Sequence, residues 1–486
     1  MISAATVDRQ RGIGALVALL GGAGFEVRLR PIEPARWEAT GVAPDLAHRV
    51  VVSHAARHGR VEVLAGEGVA PVADVNEFLN SISRWNVITK FIILYSNTES
   101  GLLSLFGLDS KGRARRIDFD PARPRRDALE RLGALELRDR RPGELERALE
   151  RALERETVGR RFFLRFRDDA RALEAELFRA HPDEGAAERA SEALLVLSRI
   201  LFLYFVQQKG WLDGNRSFLA DLVERSRRVR EGLFTGVFLP LFFGCLNTPE
   251  GRRDPLARRF GRIPYLNGGL FERSAFERRH PVIGIDDALL ERIVFETFER
   301  FQFVIEEDDE TGAHIDPEML GRVFESLMAE DERLSSGSFY TPRSVVDVLV
   351  RNALTARLAG DLDGRGKAVA RVLSGGSHGA EVPDRDALRR ELASIRLIDP
   401  ACGSGAFLLS ALQNIERLAT ALGGEGKREV FARRRIVERL YGIDLKPEAV
   451  RLCELRLWLA VAAAEPRDPA RVEPLPNLDR NVLQGN

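Results

Sequence analysis

Ile395-Arg396-Leu397-Ile398-Asp399-Pro400-Ala401-Cys402-Gly403-Ser404-Gly405-Ala406-Phe407-Leu408 is the stretch on which the fold reading turns. Apolar residues lead to an acid, a glycine-rich turn follows, and a helical pattern continues through Leu418. The order is strand, turn, helix. Glycines let backbone approach a ligand without a Cβ in the way. The helix behind them offers unpaired N–H groups and the positive end of its dipole. A turn of this kind suits a nucleotide-like ligand or a carboxylate, and a tight strand–helix turn with no ligand is the plainer alternative.

A second element weighs against the plainer alternative. Leu440-Tyr441-Gly442-Ile443-Asp444 reads as another strand ending in an acid, and Lys446-Pro447-Glu448-Ala449-Val450 starts a helix with proline in its first turn. Asp444 is expected at the C-terminal end of a strand beside the first, the edge where open α/β sheets bind ligands. A carboxylate there can accept two hydrogen bonds from ribose hydroxyls, although a helix N-cap is the commoner use of such an acid. Together the two elements favour a nucleoside-containing ligand. NAD is disfavoured: Leu408 stands where a third glycine belongs, and Asp444 lies 39 positions beyond Gly405, against about 20 in the dinucleotide fingerprint. No Gly-Lys-Ser/Thr follows the turn, which excludes a P-loop.

Outward from this core, 486 residues predict two or three domains. Residues 1–125 read as mixed α/β, with β-type runs at Phe25–Leu29, Val50–Val52, Val61–Leu64, Phe91–Tyr95 and Gly101–Phe106. Residues 126–335 read as a helical domain. It holds a buried helix at Ala193–Gln208, interrupted by Ser198 and Arg199 and closed by Lys209-Gly210. Residues 336–486 form the α/β core, with the Gly/Ser-rich Ser374–Asp386 as a surface loop. No apolar run reaches the ~18 residues of a membrane span, and the first residues, MISAATVDRQRG, lack the basic start and apolar stretch of a signal peptide, so no membrane partner is expected. Cys245, Cys402 and Cys453 are far apart without paired ligand spacing, which predicts a reduced, cytoplasmic setting and no metal. The 73 basic and 73 acidic residues balance, which neither supports nor excludes a nucleic-acid partner.

The motif set resembles the N6-adenine DNA methyltransferases. Asp399-Pro400-Ala401-Cys402-Gly403-Ser404-Gly405-Ala406-Phe407 is similar to their S-adenosylmethionine-binding motif. Gly337-Ser338-Phe339-Tyr340-Thr341-Pro342 resembles the segment they place upstream, which closes over the methionine part of the cofactor. Tyr441-Gly442-Ile443-Asp444 resembles their ribose-binding strand end; Pro476-Asn477-Leu478-Asp479 and Gly485-Asn486 resemble the motif where a polar side chain meets the adenine. The order is similar to the gamma arrangement. Upstream, Ile315–Glu325, Lys209-Gly210-Trp211-Leu212 and Leu266-Asn267-Gly268-Gly269-Leu270-Phe271 are similar to the connector of large fused restriction–modification enzymes. The resemblance implies a partial Rossmann-like S-adenosylmethionine-binding core, preceded by a helical domain and an N-terminal mixed α/β domain. It implies double-stranded DNA as partner and a cofactor site made by Phe339, Tyr340, Thr341, Pro342, Asp399, Pro400, Ala401, Cys402, Gly403, Gly405, Asp444, Leu445 and Asn486.

The sequence departs from the family in one decisive respect. The catalytic Asn/Asp-Pro-Pro-Tyr/Phe of these enzymes holds the target amino group and stacks on the flipped base, and no Asn-Pro-Pro or Asp-Pro-Pro occurs here. The expectation is that this motif lies beyond Asn486, through a truncated gene or a second polypeptide that supplies the catalytic and target-recognition parts. A chain that binds cofactor as a regulatory, DNA-associated subunit is the alternative. An N-terminal nuclease is not expected: Lys90 and Lys111 are the lysines of residues 1–125, neither sits in Glu-x-Lys, and Asp109-Ser110-Lys111 reads as a turn. His54 and His58 would share a helix face without a third ligand, Glu306–Glu310 reads as a solvated loop, and Cys402 as a small filler.

Overall fold

The computed structural model describes residues 12–121, 125–137, 141–266, 269–305, 314–317, 319–321, 341–359, 364–375, 383–423 and 432–485. They divide into two compact units: residues 1–162 with 299–302 and 308–315, and residues 163–298 with 303–307 and 316–486. Each is described by itself.

In the first unit, helix α1 (Ile13–Gly22) precedes a six-stranded sheet of β1 (Arg30–Pro31), β2 (Val52–His58), β3 (Val61–Gly68), β4 (Lys90–Asn97), β5 (Leu103–Leu108) and β6 (Ala114–Phe119), in that spatial order. Neighbours are antiparallel except β3 and β4, which are parallel because α2 (Val72–Trp85) crosses between them. Alternation explains the two cores. Val61, Val63, Ala65, Ile92 and Leu94 face α1 and α3 (Pro142–Leu153), while Leu64, Phe91, Ile93 and Tyr95 face α2. The sequence predicts a domain boundary at 125; the helices that follow it pack instead onto this sheet through Leu132, Leu145, Leu149 and Leu153, and the compact unit runs to Phe162. Their apolar stripes need a partner surface, and the nearest one is β-sheet. Phe25–Leu29 is not a strand, and β2 begins at Val52 and carries His54 and His58, so these histidines lie on a strand and not a helix. Asp109 indeed opens a turn: Oδ1 accepts the Lys111 N–H at 2.9 Å and Oδ2 meets the Arg115 Nε at 3.1 Å.

The second unit is built on α5 (Ala186–Gln208), reached through α4 (Arg155–Ala180). α5 is long and apolar enough to cross a membrane, contrary to the sequence reading, but 83% of its apolar window is buried in protein, as in a core helix. Lys209 and Gly210, the latter at φ 83°, end it as expected. Around it lie α6 (Phe218–Val229) and three π-helical turns at Leu233–Phe238, Pro240–Leu246 and Ile293–Phe298. Beyond Thr341 come α7 (Arg343–Ala359), α8 (Arg365–Leu373) and α9 (Arg385–Ser394). Then β7 (Leu397–Asp399), α10 (Ala406–Leu422), α11 (Arg433–Val437), β8 (Leu440–Asp444), α12 (Pro447–Ala464) and β9 (Val482–Gln484) alternate, and the three strands are parallel in the order β7-β8-β9. Alternating strands and helices predict this parallel sheet. The acidic run Glu306–Glu310 and most of Ser374–Asp386 lie outside the described residues, as do Phe339, Tyr340, Asn486 and residues 322–325 of the Ile315–Glu325 segment.

Candidate functional site

Asp399 and Asp444 end neighbouring parallel strands, and the glycine turn lies between them. Asp399 pairs in register with Gly442, and the Cys402 N–H donates to the Ile443 carbonyl at 2.9 Å, so the turn folds back over β8. Asp444 holds the turn directly: its Oδ2 accepts the Gly403 N–H at 2.8 Å, while Oδ1 accepts the Lys446 N–H at 3.0 Å. Asp444 is not the N-cap of α12, a place that Lys446 holds without a side-chain cap bond; its carboxylate braces the turn and the residue ahead of the helix. Each oxygen keeps a further lone pair for a ligand donor.

Asp399 differs. Its Oδ1 accepts the Ala401 N–H at 3.1 Å, while its Oδ2 is buried without a partner among the described residues. Burial pushes its carboxyl above the ordinary range, and the Asp444 charge adds to that push. A buried acceptor with no donor is costly unless something supplies one. A ligand donor entering at this strand end would do so.

The glycines are required sterically. Gly405 sits at φ 84°, and a methyl group there would lie 2.6 Å from the Cys453 sulfur. Gly442 backs the turn on β8, where a methyl would lie 2.9 Å from the Cys402 sulfur. Cys402 is buried in the turn, and with burial it pushes the Cys453 thiol of α12 up strongly. Sequence separation hides that effect. Leu445 is exposed beside the strand end, and Pro400 and Ala401 are exposed on the turn. Thr341 and Pro342 precede α7, whose Asp347 accepts the Ser410 hydroxyl of α10 at 2.6 Å. The second turns of α7 and α10 therefore meet.

Residues upstream and downstream are drawn onto the same core. Lys209 donates to the carbonyls of Ala462 and Ala463 at the end of α12, and the Trp211 indole donates to the Pro466 carbonyl at 2.8 Å. The Trp458 indole donates to the Pro476 carbonyl at 2.9 Å, and the Leu475 N–H donates to the Leu266 carbonyl at 2.5 Å. The Lys209-Gly210-Trp211 and Leu266–Phe271 segments thus pack on the elements that carry the candidate site; Asn267 and Gly268 lie outside the described residues. Motif reading misses Arg456, which donates to the Ser404 carbonyl and hydroxyl, both at 2.7 Å. A signal for it exists: Glu454 and Arg456 are charges inside the otherwise apolar run Leu452–Val461.

A glycine turn between two strand-end acids on adjacent parallel strands defines the class: an α/β protein with its candidate site at the C-terminal edge of a parallel sheet. The particular relationship comes from comparison. Residues 378–472 match the family model described as MmeI, DNA-methyltransferase domain. The chain is 28% identical over 337 residues, 63% of its length and 28% of the relative's, to a Methanocaldococcus jannaschii protein named as a putative type II restriction enzyme and methyltransferase. It is 22% identical over 280 residues to DNA methyltransferase A of Bacillus subtilis, covering 55% of this chain and 27% of that one. Over 73 residues, 14% of this chain and 6% of the relative, it is 38% identical to the adenine-specific methyltransferase PglX of Streptomyces coelicolor. The solved structure of the Type IIL restriction-modification enzyme MmeI in complex with DNA aligns at TM-score 0.41 and 20% identity, over 64% of this chain and 39% of that one. The likeness to the DNA methyltransferases of large restriction–modification enzymes, read from the motifs, is thereby shown. The chain spans little more than a quarter of the first two relatives.

Proposed function

We propose that this chain is the S-adenosylmethionine-binding front half of a site-specific DNA methyltransferase, adenine-N6 by its motifs, in a cytoplasmic restriction–modification or phage-defence system. The observation that carries the reading is the joined pair of strand ends: Asp444 hydrogen-bonded to the Gly403 N–H, and Asp399 with a buried oxygen that has no partner among the described residues. In this reading the core is the partial Rossmann-like fold of such enzymes. Asp444 meets the ribose hydroxyls, the backbone from Asp399 to Gly405 lies along the cofactor, and the segment at Tyr340–Pro342 covers its methionine part. The cofactor supplies a sulfonium-bound methyl group; the protein's own part here is to bind and orient it. Calorimetry on the chain tests this: S-adenosylmethionine or its demethylated product should bind and NAD should not, with Asp444→Ala abolishing uptake. Equal binding by the wild type and a Gly403→Val, Asp444→Ala double variant sinks the assignment.

The groups that position the acceptor base belong, in this proposal, to further polypeptide in the same chain or in a partner. One observation favours a completing segment or subunit. Parallel sheets are ordinarily covered on both faces, yet Ile398 and Leu483, on the face shared with Tyr441 and Ile443, are 61% and 47% exposed among the described residues. DNA affinity of the chain alone is expected to be modest, salt-sensitive and sequence-independent, because arginines meet phosphates while base readout lies elsewhere. A strong preference for one duplex in a competition assay would contradict this.

A further inference from the structure

Arg456 lies on α12 and is 5% exposed. A buried guanidinium must be hydrogen-bonded to be tolerated, and this one finds acceptors on two separate elements. Its Nη1 donates to the Ser404 carbonyl and to the Ser404 hydroxyl, both at 2.7 Å, and its Nε donates to the Pro317 carbonyl at 3.1 Å. Pro317 opens the helical turn capped by Asp316, whose Oδ1 accepts the Met319 N–H at 2.6 Å. Gly321 ends the described part of that turn, and a methyl group there would run into the guanidinium carbon and both terminal nitrogens. Room for Arg456 therefore depends on glycine at 321.

Ser404 stands between Gly403 at φ 51° and Gly405 at φ 84°, the centre of the cofactor turn. The peptide joining Ser404 to Gly405 is held at both ends: Arg456 takes its carbonyl, and its N–H donates to the Cys402 carbonyl at 2.8 Å. With that plane pinned, the neighbouring Gly403 N–H keeps its direction toward Asp444. We propose that Arg456 is a positioning residue of the cofactor turn, coupling the geometry of the turn to the helical segment that begins at Asp316. It does not touch the ligand; it acts through Ser404. The proposal rests on the cofactor reading above and goes beyond it, because neither Arg456 nor Gly321 belongs to the cofactor-contacting set.

The test is calorimetric affinity of the whole chain for S-adenosylhomocysteine, with circular dichroism to follow folding, in Arg456→Met, Arg456→Lys, Ser404→Ala, Gly321→Ala and the Gly321→Ala, Arg456→Met double variant. Arg456→Met should weaken binding by roughly tenfold or more, the scale of one lost charge-assisted hydrogen bond, and Arg456→Lys should recover part of it. Gly321→Ala should weaken binding while the arginine is present. It should add nothing once the shorter, uncharged methionine has replaced that arginine, since the clash is then relieved; a purely structural role would not give that dependence. Wild-type affinity in folded Arg456→Met, or additive losses in the double variant, overturns the proposal. Should Arg456→Met not fold, Ser404→Ala and Gly321→Ala decide, and wild-type affinity in both overturns it. Absence of binding by the wild type is a different result: it removes the cofactor reading itself, and this inference with it.

Discussion

Asp399 has its pKa raised by burial and by the Asp444 charge against the opposing Ala401 N–H, and a buried oxygen without a partner among the described residues. A carboxyl raised in the folded chain favours folding below its unfolded pKa, and that contribution is lost as pH rises through the folded value. Ligand donors reverse the balance by stabilising the ionised form. Affinity for S-adenosylhomocysteine should therefore rise as pH rises through the raised Asp399 pKa, with proton release on binding. Calorimetry in two buffers of different ionisation enthalpy reads this directly, and Asp399→Asn should flatten it; pH-independent uptake by the wild type would contradict the assignment. Gly405 gives a steric prediction at the same scale. Gly405→Ala places a Cβ at positive φ and against the Cys453 sulfur, which should cost about 1–3 kcal/mol in urea denaturation. Cys453→Ala in the same chain should return the contact share but not the backbone share.

Among the elements, α5 is the one whose sequence looks self-contradictory: an apolar core helix interrupted by Arg199, which is 0% exposed. Tertiary contacts resolve it. The guanidinium pairs with Glu277 at 2.5 and 3.0 Å and donates to the carbonyls of Leu270 and Glu272, both at 2.7 Å, so it ties α5 to the loop after Gly269. Removing one partner of a buried pair strands the other charge, and Arg199→Met should cost about 3–5 kcal/mol. Arg199→Met with Glu277→Leu should recover much of it; equal destabilisation of the single and double variants would show that the loop contacts, and not the stranded carboxylate, set the loss. Lys209 is the milder case. Its ammonium meets carbonyls at the C-terminal end of α12, and Lys209→Met should cost about 1 kcal/mol, read by the same denaturation experiment.

Across the molecule, stability should fall as the pH rises from about 4.5 to about 7. Burial pushes Glu192 and Glu454 up to about 7. Glu192 is also raised by Glu277, and its Oε2 accepts the Ser274 hydroxyl at 2.7 Å while Oε1 has no partner among the described residues. Glu454 is also raised by Asp479 and partly offset by Arg451, 3.3 Å away. Folded values above the unfolded ones mean that their contribution is complete below about pH 4.5 and is lost as pH passes about 7. Each can shift stability by roughly 3 kcal/mol at most. Denaturation midpoints should drop from about pH 5 to about pH 8, and Glu192→Gln should reduce that slope; an unchanged slope would remove Glu192 as its source. Binding a cofactor without holding the acceptor gives no proximity advantage, and flipping the base costs a few kcal/mol that its pocket must return. Labelled methyl transfer to mixed-sequence DNA by this chain should stay at background. Clear transfer abolished by Asp399→Ala would show an acceptor site within the 486 residues.

Local chemistry makes part of the protein legible in its sequence. The acid at Asp399, the glycines at 403 and 405 and the acid at Asp444 identify a strand–turn–helix edge because glycine readily takes the positive φ that such a turn requires. The Lys209-Gly210 stop and the buried strand Phe91–Tyr95 are readable for the same reason, since termination and alternation are properties of the chain itself. Tertiary structure alone decides that Leu132, Leu145, Leu149 and Leu153 cover the N-terminal sheet, that His54 and His58 lie on a strand, and that Arg456 reaches both Ser404 and Pro317. An apolar stripe or a buried charge states in sequence that it needs a partner. Which partner it finds depends on elements that come together from far along the chain, and no periodicity records that.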